Sequence, residues 1–423
     1  MVEEFLHFVW KNGLFKKKDL QSVCGKNIEI LDLGKENFHQ GPDFFNAKIL
    51  IDGQLWAGDI EVHIKASDWY LHKHHEDKKY DTVILHVVKE YDTPVFNSQG
   101  FQIPTIILSY EARLYEKFVY LKLASDKIPC TKFLRHLSKK DFYQWLDRVE
   151  QRRLEQKSDE VYTELKKRNN DWQEVFYIFL AKNFGFKQNS TAFSLLAKSL
   201  PLKYLLFHAD NLMQIEAMLY GQAGMLEKEC SDKYYLNLKR EYEFLRHKYS
   251  LKPIDLSLWR YMRLRPANFP AIRIAQFANL VYTGGEAFSM FYFFDRYSDL
   301  YSVFEAGVSQ YWKNHYDFCK QSKRFSQKKL SKSSIENIII NTISLFMYAY
   351  GKYNNDNKLI NRALSLLKTI KPEKNAIIQK WQNAGILPKN AFETQALIQL
   401  YNEYCKLGKC LKCNIGNKII SII

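Results

Sequence analysis

The sequence predicts two kinds of structure in one chain, an α/β domain over residues 1–115 and an all-helical domain over residues 116–423. Short apolar runs bounded by turn residues, which are typical of strands, occur only in the first part. After about residue 111 the apolar residues recur at helical spacing. Hydrophobic residues make up 46% of the chain, which is enough for both parts to bury a core.

The N-terminal part begins with an amphipathic segment, residues 2–11, that we expect to be a helix. Five segments then have the composition of strands: 27–33, 43–51, 55–65, 82–88 and 102–108. Asp52 and Gly53 join the second strand to the third through a tight turn typical of a hairpin. The polar stretch 67–80, with Ser67 and Asp68 as helix caps, is predicted to be a helix before the fourth strand. That fourth strand is apolar throughout, which favours a central position in the sheet.

The rest of the chain reads as helices. The apolar spacing predicts them over residues 141–168, 171–186, 191–200, 215–222, 239–250, 335–353, 358–370 and 391–405. Prolines at positions 201, 253, 266 and 270 interrupt this pattern.

The chain carries a formal net charge of +16, with a sequence pI near 9.2. A charge of this sign favours polyanionic partners, nucleic acid first, although a general lysine-rich composition explains it equally simply. No apolar run is long enough to span a bilayer, and the N-terminus lacks the basic start of a secretory signal. We therefore expect a cytoplasmic protein without a membrane segment. Its seven cysteines, an odd number, argue against a disulfide framework.

In the stretch Gly58–Trp69, acidic and basic side chains occupy alternate positions. In a strand, Asp59, Glu61, His63 and Lys65 share one face. Asp43 begins the strand expected to pair with this one, so two carboxylates meet and offer a site for a hard divalent cation. The competing interpretation is a half-exposed strand with one solvated face.

The motif PD at 42–43, followed by EVH at 61–63 in this order of elements, resembles the PD-(D/E)XK nuclease superfamily. The resemblance implies a restriction-endonuclease-like fold, a mixed sheet with flanking helices. It also implies that Asp43 and Glu61 bind Mg²⁺ or Mn²⁺ for phosphodiester cleavage.

Two further roles follow from the same resemblance. A glutamate of the first helix, Glu4 or Glu3, completes the metal site. The superfamily has a lysine where this chain has His63, so either His63 or Lys65, two residues later on the same face, takes the basic role.

The chain as a whole resembles an uncharacterised bacterial family, domain of unknown function 2851, common among Bacteroidetes. The stretches that carry this resemblance are NFHQGPDFFNAKI, WAGDIEVHIKASDWYLHKH, YDTVILHVV, YGQAG, RLRPANFPAIRIAQ and YCKLGKCLKCNIG. This family implies no particular activity.

Histidines are concentrated near the N-terminus, and some have the spacing of metal ligands. His72 and His75 share a helix face and, with Asp77, form a candidate second site for zinc or manganese; the alternative is a solvated polar helix. His86, within an apolar strand, fits a buried core histidine better than a ligand.

Two candidates lie in the helical part. Arg263, Arg265 and Arg273 flank proline-bounded helix starts, where they either hold phosphate groups of nucleic acid or form buried ion pairs. Near the C-terminus, Cys405, Cys410 and Cys413 have the spacing of a structural Zn²⁺ site whose fourth ligand must come from elsewhere: Cys24, Cys130, Cys230, Cys319 or a histidine. An iron–sulfur cluster or simply reduced thiols are the alternatives.

The sequence thus predicts a metal-dependent nuclease or a nuclease-derived nucleic-acid-binding protein. Two other classes stay open: a non-catalytic interaction or scaffold protein, and a histidine-ligated metal hydrolase acting on a small substrate.

Overall fold

The structure is a computed structural model that describes residues 2–124, 128–284, 297–305 and 307–422. It is a mixed α/β protein with one principal sheet near the N-terminus and a mostly helical remainder. The chain divides into two compact units. The N-terminal unit comprises residues 1–145, 380–386 and 399–423, and the helical unit comprises residues 146–379 and 387–398. The N-terminal unit therefore extends past the predicted boundary at residue 115, and the C-terminal residues also belong to it.

The described residues form eight strands: β1 (Ile28–Asp32), β2 (Lys35–Glu36), β3 (Phe44–Ile51), β4 (Gln54–Lys65), β5 (Val83–Glu90), β6 (Thr105–Ile107), β7 (His315–Asp317) and β8 (Lys320–Gln321). Those from β1 to β6 form one mixed sheet in the order β1-β3-β4-β5-β6, with β2 also paired to β3. The pairs β1–β3 and β3–β4 are antiparallel, whereas β4–β5 and β5–β6 are parallel. The apolar strand β5 therefore lies between two neighbours, as its composition predicts.

The described α-helices are α1 (Glu3–Lys11), α2 (Asp68–Leu71), α3 (Ala112–Leu123), α4 (Lys139–Lys167), α5 (Trp172–Phe184), α6 (Phe186–Ser199), α7 (Leu202–Leu206), α8 (Leu212–Gln222), α9 (Lys233–Tyr249), α10 (Pro270–Thr283), α11 (Tyr297–Phe304), α12 (Lys332–Ile338), α13 (Ser344–Tyr353), α14 (Asn357–Thr369), α15 (Ala376–Asn383), α16 (Ala391–Leu400) and α17 (Asn414–Ser421). The described residues of the helical unit bury one large apolar cluster, in which α5 packs on α6 and α13 on α14. Within this unit Cys230 and Cys319 form a disulfide with Cα atoms 6.0 Å apart, contrary to the expectation from the odd cysteine count.

Three local features shape the part of the sheet that matters for function. Asp52 and Gly53 both have positive φ, the conformation of the tight turn predicted between β3 and β4. Asn46 also has positive φ, at a bulge where one extra residue of β3 opposes β4. Farther along β4, a Cβ on Gly58 would lie 2.4 Å from the Ile84 side chain, so the close approach of β5 requires glycine there.

Two helices, α1 and α2, pack against the principal sheet at β4. α1 packs against β4 and buries an apolar face that includes Phe5 and Trp10. Trp69 of α2 is fully buried, and its indole N–H donates to the Phe96 carbonyl at 2.9 Å. These contacts fix α1 and α2 relative to β4 and so determine where their polar residues point.

Candidate metal centre in the N-terminal unit

Two carboxylates lie side by side where β3 begins next to β4. The backbone N–H of Asp43 donates to Glu61 Oε2 at 3.0 Å, and the backbone N–H of Val62 donates to Asp43 Oδ2 at 3.0 Å. Each carboxylate is therefore held by the backbone of the other strand. The side chain of Glu61 is 5% exposed and that of Asp43 is 22% exposed, so the pair is reached from the Asp43 side.

A row of three imidazoles continues from Glu61 into the protein. His63 Nδ1 lies 2.9 Å from His86 Nε2, and His63 Nε2 lies 3.1 Å from His72 Nδ1. A neutral imidazole has one donor and one acceptor, so both contacts form when every ring passes its hydrogen bond in the same direction. The other ring nitrogen of His86, Nδ1, is buried and has no partner among the described residues. His63 and His86 are buried whereas His72 is exposed, so the row runs from the interior of the unit to its surface.

The histidines that follow β4 are positioned by the early end of α2. The segment predicted as a helix to Tyr80 stops at Leu71, because Lys73 adopts a left-handed conformation with φ 60°. The N–H of Lys73 bonds back to the Tyr70 carbonyl and that of His74 to the Trp69 carbonyl, the pattern of a Schellman helix end.

This turn decides which histidines face the carboxylates. In a continuous helix, residues three apart such as 72 and 75 would share a face. The turn instead directs His74 inwards, with its Nε2 3.2 Å from Glu61 Oε1 and its ring stacked on Tyr80. His75 turns to Glu76, with Nε2 3.3 Å from Oε1.

Helix α1 supplies the other side of the centre. His7 Nε2 lies 3.2 Å from Asp43 Oδ2 and 3.7 Å from Glu3 Oε1. Glu3 therefore occupies the position that the resemblance assigned to a helix glutamate, whereas Glu4 is exposed.

The donor atoms gather in two adjoining groups. Among the described residues, ligand atoms lying within 4.8 Å of one another include those of Glu3, His7 and Asp43 and those of His63, His72 and His74. The Nε2 atoms of His7 and His74 are buried and form no regular hydrogen bond within the described chain, although each faces a carboxylate oxygen. Nitrogen and oxygen lone pairs thus face the same space, and this donor set fits a divalent transition ion.

Burial controls the charges in the centre. Burial, followed by the charge of Asp43, raises the pKa of Glu61 from 4.5 to about 9. Burial, followed by the neighbouring histidines, lowers the pKa of His63 to about 2 and that of His86 to about 3. At His7 burial also disfavours the charged form, but interaction with Asp43 and Glu3 outweighs it, so the pKa of His7 is raised. His63 and His86 are therefore neutral, the form that binds metals, whereas the carboxylates beside His7 stabilise its protonated form.

Other predicted site residues lie away from these atoms. Lys65 is exposed at the end of β4. Asp77 accepts a hydrogen bond from the backbone N–H of Lys79 and caps a short 3-10 turn. Of the trio His72, His75 and Asp77, only His72 therefore reaches the centre.

The three arginines of the helical unit are placed differently from one another. Arg263 and Arg265 are exposed. Arg273 is buried, lies over the ring of Phe186 and donates to the side-chain oxygens of Asn268 and Gln276. It lines a cavity of about 340 Å³ within the helical unit.

Sequence reasoning gave no role to His7 or His74. It named Glu3 only as the alternative to Glu4, and it interpreted His86 as a buried core histidine. One signal was available, because His7 lies one helical turn after Glu3 on the face of α1 that precedes the Asp43 strand. His74 had no such signal, because its direction depends on the turn at Lys73.

Across the described residues, no helix combines the length and apolar composition that crossing a bilayer requires. Comparison with the curated proteins and with solved structures returned no match. A family model described as a protein of unknown function, DUF2851, matches residues 3–376. That range contains every residue of the centre and most of the 423-residue chain, and the chain therefore belongs to the DUF2851 family.

Proposed function

We propose that this protein is a metal-dependent nuclease, which hydrolyses phosphodiester bonds of nucleic acid at the centre formed by Asp43, Glu61 and the surrounding histidines. The observation that carries the proposal is the reciprocal backbone bonding of Asp43 and Glu61, which fixes two carboxylates beside the buried Nε2 atoms of His7 and His74. Buried groups of this kind are costly without a cation to bind them.

The strand order also favours this function. A helix, antiparallel strands ending in β4, a short helix and then the parallel strand β5 follow the order on which the likeness to the PD-(D/E)XK superfamily rests. Asp43 directly precedes β3 and Glu61 lies within β4, which supports the proposal. The net charge of +16 suits a polyanionic substrate.

Asp43, Glu61 and His74 would hold the ion, with the row containing His63 and His72 adjoining it. The imidazole nitrogens favour Mn²⁺ over Mg²⁺, because Mg²⁺ prefers oxygen ligands alone. When bound, such an ion polarises a phosphate oxygen and lowers the pKa of a water.

The chain's own residues supply the rest of the chemistry. His63 is neutral and buried and Lys65 is exposed, so neither is placed as the cation beside the carboxylates. His7 is, because its Nε2 lies next to Asp43 and its pKa is raised. We therefore assign to His7 the basic role that a lysine has in the superfamily: its Nε2–H contacts the scissile phosphate or gives its proton to the leaving oxygen.

The test is cleavage of labelled single- and double-stranded DNA and RNA with Mn²⁺ or Mg²⁺. Asp43→Asn and Glu61→Gln should reduce cleavage by more than the roughly 10–100-fold that loss of an outer metal-site partner costs. Glu29→Gln is the matched control, because Glu29 is an exposed carboxylate on the neighbouring strand β1. His7→Gln should reduce the rate and alter the pH profile, which a purely structural residue would not do.

Equal activity of Asp43→Asn and the wild type would refute the assignment. Salt-sensitive nucleic-acid binding without cutting in any metal would favour the non-catalytic interaction protein instead.

The histidines favour one second candidate, a metal hydrolase for a small phosphodiester. Three imidazoles within 4.8 Å are typical of sites for transition metals rather than for Mg²⁺ alone. Hydrolysis of bis(p-nitrophenyl) phosphate with no activity on any nucleic acid would select this candidate.

A further inference from the structure

Four cysteines that are distant in sequence come together in the N-terminal unit. Cys130 follows α3, and Cys405, Cys410 and Cys413 lie on the C-terminal segment that returns to this unit. All four are free thiols, and each interacts electrostatically with the other three. Cys24, the remaining free cysteine, is exposed. The fourth sulfur that the C-terminal trio lacks is therefore present.

The local backbone brings the C-terminal sulfurs to one place. Cys405 is the last residue of a one-turn π-helix, Tyr401–Cys405. Gly408, with φ 64°, then reverses the chain before Cys410. Gly416 at the start of α17 packs so closely on the Cys410 carbonyl that a Cβ would lie 2.2 Å from its oxygen. A β-carbon at residue 416 would therefore displace the turn that carries Cys410 and Cys413.

The sulfur of Cys413 is surrounded by hydrogen-bond donors. Three N–H groups stabilise negative charge on this sulfur: the backbone N–H groups of Gly416 and Ile415 and the indole N–H of Trp145. That buried indole N–H has no regular hydrogen-bond partner within the described part of the chain. A neutral thiol is a weak acceptor, whereas a thiolate bound to a metal accepts such N–H groups well.

The distances between the sulfur atoms distinguish a site for one metal ion from a site for an iron–sulfur cluster. Four thiolates around one zinc ion lie roughly 3.8 Å apart, from a Zn–S bond of ~2.3 Å and tetrahedral angles. The described groups of ligand atoms within 4.8 Å of one another do not include these cysteines. In a [4Fe–4S] cluster each thiolate binds a different iron, which holds the sulfurs farther apart than one ion does.

We infer that Cys130, Cys405, Cys410 and Cys413 bind a [4Fe–4S] cluster, with Trp145 as a positioning residue that hydrogen-bonds to the Cys413 sulfur. The cluster joins the C-terminal segment to the part of the N-terminal unit that follows α3. Lys406, Lys409 and Lys412, which are exposed beside the ligands, offset the negative charge of four thiolates. This site is separate from Asp43 and Glu61 and does not depend on the proposed nuclease activity.

The primary test is the metal content of the full chain purified without oxygen. We expect about four iron and four sulfide ions per chain, with the broad visible absorption of a cluster, either as purified or after reconstitution with iron and sulfide. One zinc per chain, or neither iron nor sulfide after reconstitution, would overturn the inference. This measurement uses the wild-type protein and so does not depend on the folding of any variant.

Variants then test the ligands. Cys130→Ser should lose most of the iron, whereas the matched control Cys24→Ser should keep it. Trp145→Phe should keep the cluster but lower its reduction potential, because an N–H donor to sulfur stabilises the more negative reduced state. Full iron content in Cys130→Ser would remove Cys130 from the ligand set, and an unchanged potential in Trp145→Phe would remove the role of Trp145.

Discussion

Replacing Glu61 with glutamine should stabilise the metal-free protein while reducing the proposed cleavage of nucleic acid. In the metal-free fold the raised pKa of Glu61 means that its carboxyl group keeps a proton at pH 7, whereas in the unfolded chain it ionises at 4.5. Glutamine resembles the protonated carboxyl: it still accepts from the Asp43 N–H and can donate to His74 Nε2. At pH 7 the wild type must protonate the Glu61 carboxyl group when it folds, which costs free energy. The substitution removes this cost and keeps the hydrogen bonds.

The magnitude follows from linkage. A raised carboxyl pKa gives stability that is fully present below 4.5 and is lost as the pH rises through about 9. At pH 7 the loss is 1.36 kcal/mol for each of the 2.5 pH units above 4.5, or about 3 kcal/mol at most. At pH 5 the same arithmetic gives under about 1 kcal/mol. The advantage of the variant should thus shrink on acidification.

The assay is urea unfolding in EDTA at pH 7 and pH 5, repeated with Mn²⁺. In EDTA at pH 7, Glu61→Gln should be more stable than the wild type, and the exposed control Glu29→Gln should equal it. With the ion at about 100 times its Kd, the wild type should gain about 2.7 kcal/mol and the variant less. A variant that is less stable than the wild type in EDTA at both pH values would refute the reasoning.

Three further outcomes concern the helical unit. Burial raises the pKa of Glu216 to about 7, so stability should fall as the pH rises from 4.5 to 7, and urea unfolding of Glu216→Gln should lack this fall. Gly221→Ala should destabilise by about 1–3 kcal/mol in urea, because its Cβ would lie 2.1 Å from the Tyr242 ring; an unchanged midpoint would contradict this. Arg153→Ala should cost about 3–5 kcal/mol, because it leaves the buried carboxylate of Glu150 unpaired, and a double variant with Glu150→Ala should recover part of that cost.

The general architecture could be read from the sequence because it depends on local patterns. Residue alternation predicts β3, β4 and β5 within one or two residues, and the Asp52-Gly53 turn fixes the pairing of β3 with β4. The bulge at Asn46, which the sequence did not predict, then shifts the register by one residue, so that Phe44 pairs with Ile60 and Asp43 lies beside Glu61. The change to helical spacing after residue 111 predicts an all-helical remainder. The structure is mostly helical there, but β7 and β8 form a short two-stranded sheet.

Other features were decided only by the tertiary structure. The helix predicted over 67–80 has the right composition, but packing of Trp69 and the left-handed Lys73 end it after one turn. As a result His74, and not the predicted His75, lies beside Glu61. The disulfide between Cys230 and Cys319 likewise depends on two segments that no local pattern connects.

The sequence by itself determined where the long strands of the principal sheet form, which of them carry the carboxylates and how basic the chain is, because side-chain alternation and charge are local properties. Only the tertiary structure decided that α1 places His7 against Asp43 and that Cys130 joins the three C-terminal cysteines. These contacts join residues far apart in the chain, and their partners are selected by the burial of apolar faces rather than by spacing. The same burial sets the protonation of Glu61 and His63, which no sequence pattern records.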